Sequence, residues 1–400
     1  MKINNIEFFR YNGYPIENMI MSNRMMGGQS NIKKIDYEKL KKVVSEASKK
    51  SSIDGCFVLL KTPQGEFKVN YGTNVRNVNS PPTAETHIRI GSNTKSMTAA
   101  VIVLQAQEGK LNLNDSVSKY IPQVPFGDKI TIELLLKMRS GLENYTAEPI
   151  LSTTLTSQPS HNFTPQQLLN IAFKTPPYSL PDTVYHYCNT NYILLGLIAE
   201  KVDKKPLSLI FQQRLFIPLG LKNTLLPAPG SAAMPEPYSH GYEFIDPSYI
   251  LMDRKFSPYV EEAIKAQFLH SNDITFANPS WAWAAGGVIS TANDLAIWIS
   301  SLISGKVFNR QYQQKFFSSF QSQDPNQPDI QSYGYGISDL IYKGNKSYLH
   351  TGQIVGYTSG MLYDPTNQIT IVIWANLDKS VEARTPSDAI LEQVLGQVYG

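Results

Sequence analysis

A serine and a lysine three positions apart stand at the head of a long apolar stretch in this chain. The segment reads Ile90-Gly91-Ser92-Asn93-Thr94-Lys95-Ser96-Met97 and runs on through Val101-Ile102-Val103-Leu104. That run predicts a buried helix whose first turn carries both residues. Positions i and i+3 share a helix face, which brings a lysine amine within reach of a serine hydroxyl. A serine hydroxyl is a weak nucleophile until a base takes its proton, and a desolvated lysine can be that base. The helix N-terminus adds N–H groups and a positive dipole end where an oxyanion would form. The tetrapeptide alone is ambiguous, because serine is also a favoured helix cap. The same spacing recurs at Ser116-Val117-Ser118-Lys119, which follows Asp115, leads into Tyr120-Ile121-Pro122 and reads as a surface turn.

Two further short motifs follow in order, Tyr187-Cys188-Asn189 and His350-Thr351-Gly352, and each triplet pattern occurs once in the chain. Tyr187 and Asn189 precede the apolar run Ile193-Leu194-Leu195-Gly196-Leu197-Ile198, so they sit where a packed tyrosine and a capping asparagine would also sit. His350 ends an apolar strand-like segment.

These residues need a frame. Residues 36–50 carry apolar positions at Leu40, Val43, Val44 and Ala47, a helical period behind an Asp36 cap. Gly55-Cys56-Phe57-Val58-Leu59-Leu60 reads as a buried strand, and Glu66 to Tyr71 alternates as its hairpin partner. The middle of the chain is helical, with starts at Thr131 and at Thr164-Pro165, and with helices over 193–199, 206–218, about 260–269 and 292–304. Residues 145–163, rich in Ser and Thr and without periodicity, read as a loop long enough to wall a pocket. The Pro- and aromatic-rich stretch 227–283, interrupted by the helix over about 260–269, reads as a second pocket wall. Strands return at 333–337, 347–350, 358–363 and 369–374, and a last helix spans 386–398. Strands at both ends and helices between them predict an α+β fold. Its antiparallel sheet is built from both chain ends and flanked by helices, with a mainly helical subdomain, about residues 92–300, inserted. Residues 1–34 read as an N-terminal extension, and 35–400 as the domain.

With its three ordered motifs, the chain resembles the penicillin-recognising serine hydrolase superfamily. The branch it resembles holds class C β-lactamases, D-Ala-D-Ala carboxypeptidases and D-aminopeptidases. Flanking blocks support the resemblance: Ser140-Gly141-Leu142, Pro218-Leu219-Gly220-Leu221 and Ala285-Gly286-Gly287 before Ser290-Thr291. It spans about residues 38–398 and implies the β-lactamase/transpeptidase-like fold. It also implies Ser92 as nucleophile, Lys95 as its proton partner, and Tyr187 as a phenolate base lowered by the Lys95 ammonium. The implied oxyanion hole is the N–H groups of Ser92 and Gln353, and the implied substrate contacts are Asn189, His350, Thr351 and Gly352. The implied activity is acyl-enzyme hydrolysis of amides by a D-stereospecific peptidase or a DD-carboxypeptidase-like enzyme. An esterase, a peptide acyl transferase or cyclase, and a non-catalytic penicillin-binding or sensor domain are the alternatives. Two departures stand out. Where β-lactamases carry Lys-Thr-Gly this chain has His350, whose ring would point into the cleft and gain charge below about pH 6.5. Met138-Arg139 replace the family's common His-Thr before Ser-Gly-Leu, a packing change unless Arg139 reaches the pocket rim.

Composition excludes other classes. The 400 residues are 42% hydrophobic and 17% charged, with a net charge of +3 and no basic stripe, so no nucleic-acid partner is expected. The partner expected is a small-molecule or peptide substrate. The six histidines (87, 161, 186, 240, 270, 350) show no paired spacing, so neither a metal nor a cofactor is expected. Cys56 and Cys188 lie in apolar surroundings and read as buried free thiols rather than a disulfide. No apolar run of about 18 residues marks a transmembrane helix. No signal-type apolar region opens the chain, which predicts a cytoplasmic protein or one exported with its signal removed.

Overall fold

The computed structural model describes residues 32–327, 331–381 and 385–400. The extension expected over 1–34, and with it the reading of the signal region, lies outside the described residues up to residue 31. Ile32 and Lys33 already pair with the other end of the chain, through a bridge to Tyr399 and a bond from the Lys33 N–H to the Val398 carbonyl.

Helix α1 (Tyr37–Lys50) starts where Asp36 accepts a bond from the Lys39 N–H, and it buries Leu40 and Val44. Strands β1 (Gly55–Thr62) and β2 (Gly65–Gly72) form the expected hairpin. Short pairs follow, with β3 (Ile88–Arg89) bonded to β6 (Ile289–Ser290) and β4 (Tyr242–Glu243) bonded to β5 (Asn272–Asp273). The last quarter supplies β7 (Gln321–Ser322), β8 (Gln331–Tyr333), β9 (Ser338–Tyr342), β10 (Asn345–Ile354), β11 (Tyr357–Asp364) and β12 (Ile369–Ala375). Eight of these make one antiparallel sheet in the order β2-β1-β12-β11-β10-β9-β8-β7, in which Val58 of the first strand faces Ile373 of the last. Both chain ends therefore build one sheet.

Both faces of that sheet are covered, which is why its central strands are apolar at consecutive positions rather than alternating. Side chains alternate between the faces with period two. Phe57, Leu59, Met361, Val372 and Trp374 face one core, while Cys56, Val58, Leu60, Leu362, Ile371 and Ile373 face another. The second core is closed by α1 and the C-terminal helix (Pro386–Val398). The first is filled by α2 (Thr94–Gln107), whose residues Met97 to Val103 are at most 1% exposed. A helix apolar all round can only be interior. Around it lie α3 (Ile132–Leu136), α4 (Pro149–Ser157), α5 (Pro165–Ala172), α6 (Asn189–Asp203) and the helix Ala292–Ile303. Among the described residues no helix is long and apolar enough to cross a membrane.

Several expectations change. The stretch 145–163 is not a loop throughout: it holds a 3₁₀ turn (Tyr145–Ala147) and α4. Thr153, Thr154, Thr156 and Ser157 each bond the carbonyl four residues back, so hydroxyls that usually compete with a helix are absorbed by it. Strand β9 and the helix Arg310–Ser318 were not anticipated. The helix expected over 260–269 is Pro258–Lys265, capped by Ser257. Both cysteines are free and buried, and burial pushes the Cys56 thiol up to about 12.

Candidate active site

Gly91 turns the chain from β3 into the helix with φ +52, a conformation glycine adopts without strain. A 3₁₀ turn (Gly91–Asn93) carries Ser92, and α2 begins at Thr94. The cap position of α2 is Asn93, and no side chain caps it, so Ser92 is not held there as a cap. Its hydroxyl instead lies in a hydrogen bond of 2.8 Å with Lys95 Nζ. The same Nζ lies 2.7 Å from the Ala285 carbonyl oxygen. Lys95 is fully buried and has no carboxylate partner among the described residues, and burial depresses its pKa well below the ordinary lysine value. The neutral amine, which can accept a proton, is favoured by that setting.

Tyr187 reaches the same point from the start of α6. Lys95 Nζ sits 4.9 Å from the centre of its ring and 5.7 Å from that of Tyr192. The backbone before α6 is held by Met138: its carbonyl takes the His186 N–H at 2.9 Å and its sulfur takes the Cys188 N–H at 3.4 Å. Ser140 Oγ donates to Asn191 Oδ1 at 2.6 Å. Arg139 donates to the Ser322 carbonyl of β7 at 2.9 Å and is not among the residues that line the cleft over Ser92. Asn189 opens α6 but does not cap it. Its Nδ2 donates to Thr146 Oγ1 and its N–H to Asn144 Oδ1, both at 3.0 Å.

The third motif lies on β10. That strand pairs with β9 only over Asn345 to Leu349 and with β11 over Tyr348 to Ile354. On the β9 side the stretch from His350 onward is thus a local edge, and it lies against the Ser92 turn. Two glycines permit the approach. A Cβ on Gly352 would stand 2.0 Å from the Ile90 carbonyl oxygen, and one on Gly91 would stand 2.8 Å from the Gln353 nitrogen. The Gln353 backbone N–H is thereby placed beside Ser92, the neighbourhood an oxyanion hole requires. Gln353 is anchored through its Nε2, which donates to the Asp378 carbonyl at 2.6 Å.

His350 departs from expectation. Its ring is 1% exposed and is wedged against Tyr333 and Tyr187 instead of opening on the cleft. Nδ1 stands 2.6 Å from the Thr351 carbonyl and Nε2 stands 3.2 Å from the Tyr333 hydroxyl. A neutral ring protonated on Nδ1 satisfies both contacts. Burial first, and then Lys95 in its protonated form at low pH, lower its pKa to about 3. The ring thus stays neutral at pH 5–8. Below about pH 6.5 the unfolded chain takes up a proton that the folded chain refuses, so folding loses up to about 1.4 kcal/mol per pH unit as pH falls toward 3. Denaturant unfolding of His350→Gln should show a shallower acid loss than the parent between pH 6.5 and 4. An unchanged slope would mean that the ring titrates in place.

Thr351 is 9% exposed beside these groups. The cleft over Ser92 is lined by Asn189 and Gln353, and by Tyr145, Thr146, Ile250, Leu251 and Trp281 from the stretches 145–163 and 227–283 that were expected to wall a pocket. Tyr145 is pinned by its hydroxyl to the Trp281 carbonyl at 2.6 Å. Ala285, whose carbonyl holds Lys95, had a sequence signal only as part of the Ala285-Gly286-Gly287 block. The sequence-derived residues Ser92, Lys95, Tyr187, Asn189, His350, Thr351, Gly352 and Gln353 therefore converge on one place. The Ser116 copy does not: Lys119 pairs with Asp115 at 2.9 Å on the surface, and Ser116 faces Ser118 at 3.1 Å.

The family model described as Beta-lactamase matches residues 40–395. Protein flp of Staphylococcus aureus (strain N315) is 24% identical over 357 residues, covering 85% of this chain and 63% of that protein. The chain thus spans less than two thirds of the length of that curated relative. Among solved structures, a D-stereospecific amidohydrolase from Streptomyces sp. superposes with a TM-score of 0.76 at 25% identity, covering 89% of this chain and 98% of that one. A D-amino acid amidase from Ochrobactrum anthropi SV3, complexed with L-phenylalanine amide, gives a TM-score of 0.74 at 23% identity, covering 90% and 99%.

Proposed function

The chain belongs to the beta-lactamase family, and from that premise we propose that it hydrolyses amides of D-configured residues through an acyl-enzyme on Ser92. The observation that carries the proposal is the buried, carboxylate-free Lys95 amine at 2.8 Å from the Ser92 hydroxyl. As a neutral amine, Lys95 takes the Ser92 proton while Oγ forms its bond to the substrate carbonyl carbon. The developing oxyanion is held by the N–H groups of Ser92 and Gln353. Collapse breaks the carbon–nitrogen bond, and the proton passes by way of Tyr187 to the leaving amine. Water then hydrolyses the ester on Ser92. Asn189 and Thr351 hold the substrate's amide groups along the edge of β10, with Gly352 leaving room for the close approach. His350 supports the strand and Tyr187 as a neutral ring and not as a countercharge.

The D-preference draws support from the Streptomyces amidohydrolase and the Ochrobactrum amidase that share this fold. Ester cleavage by the same machinery is the second reading, because an ester asks less of the proton transfer to its leaving group. Mirror-image pairs of N-acetyl amino-acid amides and of the matching esters separate the readings. Under the leading reading the D-amides are cleaved with kcat/KM at least about 100-fold above their L-partners. Turnover of esters alone, without regard to configuration, would replace the amidase reading with the esterase one.

A further inference from the structure

The residues that line the cleft over Ser92 have one property in common: among the described residues none of them is charged at neutral pH. One wall is apolar, formed by Ile250, Leu251 and Trp281, and the polar contribution comes from neutral groups such as Asn189 and Thr146. The two buried cations beside the cleft are committed elsewhere. Lys95 is buried behind Ser92, with its Nζ on the Ser92 hydroxyl and the Ala285 carbonyl. Lys379 is 4% exposed and pairs with Asp253 at 3.3 Å. At the position where β-lactamase relatives place a lysine, His350 is enclosed by Tyr333 and Thr351.

We infer that this cleft selects acyl compounds uncharged on both sides of the scissile bond, namely N-blocked amides or neutral esters whose apolar group packs on Ile250, Leu251 and Trp281. The inference deepens the proposed function and rests on that reading of the Ser92 site. The reason is desolvation. A carboxylate or an ammonium drawn into an apolar cleft without a partner loses its hydration and gains no countercharge. An amide or ester finds neutral donors and acceptors in Asn189 and Thr146 and loses little. A free α-amine would need a carboxylate at the cleft, and a free terminal carboxylate would need a cation. The lining supplies neither. The reading therefore weighs against a carboxypeptidase-type substrate and against an unblocked amino-acid amide.

Three compounds with one acyl skeleton test it: N-acetyl-D-phenylalanine methylamide, the same methylamide with a free amine, and N-acetyl-D-phenylalanyl-glycine with its free carboxylate. Their kcat/KM values are measured on the full chain at pH 5.5, where a free α-amine is protonated and a terminal carboxylate ionised, and their binding to Ser92→Ala is measured by calorimetry at the same pH. The blocked neutral compound should exceed both charged ones by roughly 100-fold or more in kcat/KM, with the same order in binding to Ser92→Ala. Either charged compound within tenfold of the neutral one, in turnover or in binding, overturns the inference. Should none of the three be turned over, the hydrolase reading is what fails. The binding order on Ser92→Ala then decides the charge preference alone, and equal or absent binding of all three overturns that as well.

Discussion

Ser92→Ala should lose all covalent capture of a fluorophosphonate and should lower kcat by on the order of 10⁵–10⁶, the scale of removing a serine nucleophile. The fold should survive. Ser92 does not cap α2, so the substitution removes one hydrogen bond from Lys95 Nζ and leaves its bond to the Ala285 carbonyl in place. The loss of one such bond costs about 1 kcal/mol, within the margin of an ordinary domain. Circular dichroism and the unfolding midpoint should therefore change little while labelling vanishes. Ser116→Ala is the matched control, because the same Ser-x-x-Lys spacing there is bound up in surface contacts with Ser118 and Asp115. It should leave activity unchanged. Labelling that survives Ser92→Ala and disappears in Ser116→Ala would reverse the assignment.

Lys95→Ala and Tyr187→Phe should each slow acylation by on the order of 10²–10⁴, the usual effect of losing an acid–base partner. The two should not add. Lys95 Nζ lies 4.9 Å from the centre of the Tyr187 ring, and both groups serve one proton path from Ser92 to the leaving group. Once either is gone the other has little left to transfer, so the double variant should be only slightly slower than the worse single one. The pH profile separates their parts. Burial holds the Lys95 pKa well below the ordinary lysine value, so the acylation rate should climb with pH as the amine loses its proton, below pH 10.5. That limb should disappear in Lys95→Ala. Losses that multiply across the double variant would show that one of the two residues serves structure only.

Much of this arrangement could be read from the chain itself, because the decisive patterns are local. The apolar run after Lys95 has to be an interior helix, and its first turn has to carry Ser92. The consecutive apolar residues of β1 and β12 have to lie in a sheet covered on both faces. The glycines at 91 and 352 matter through a long-range contact between β10 and the Ser92 turn, which only the packing shows. What could not be read depends on side-chain bonding and packing that residue types alone do not show. The helix Pro149–Ser157 is built from threonines and serines, whose hydroxyls disguise it as a loop until each is seen bonded one turn back. Tyr145, Thr146, Ile250, Leu251 and Trp281 come to the cleft from the two stretches, 145–163 and 227–283, that read as pocket walls, and packing selects which of their residues line it. His350 is the clearest lesson. Its type suggested a pH-sensitive charge at the cleft, whereas its burial between Tyr333 and Tyr187, with Lys95 near, removes that charge.

The central claim is an acyl-enzyme on Ser92, and peptide mass spectrometry after acid quenching tests it most directly. The full chain is mixed with an N-acetyl-D-phenylalanine ester in large excess, quenched within the first turnover and digested. The account predicts the added acyl mass on the peptide holding Ser92, absent from Ser92→Ala and increased when deacylation is slowed. Turnover with no adduct at Ser92, or an adduct confined to another residue, would contradict it.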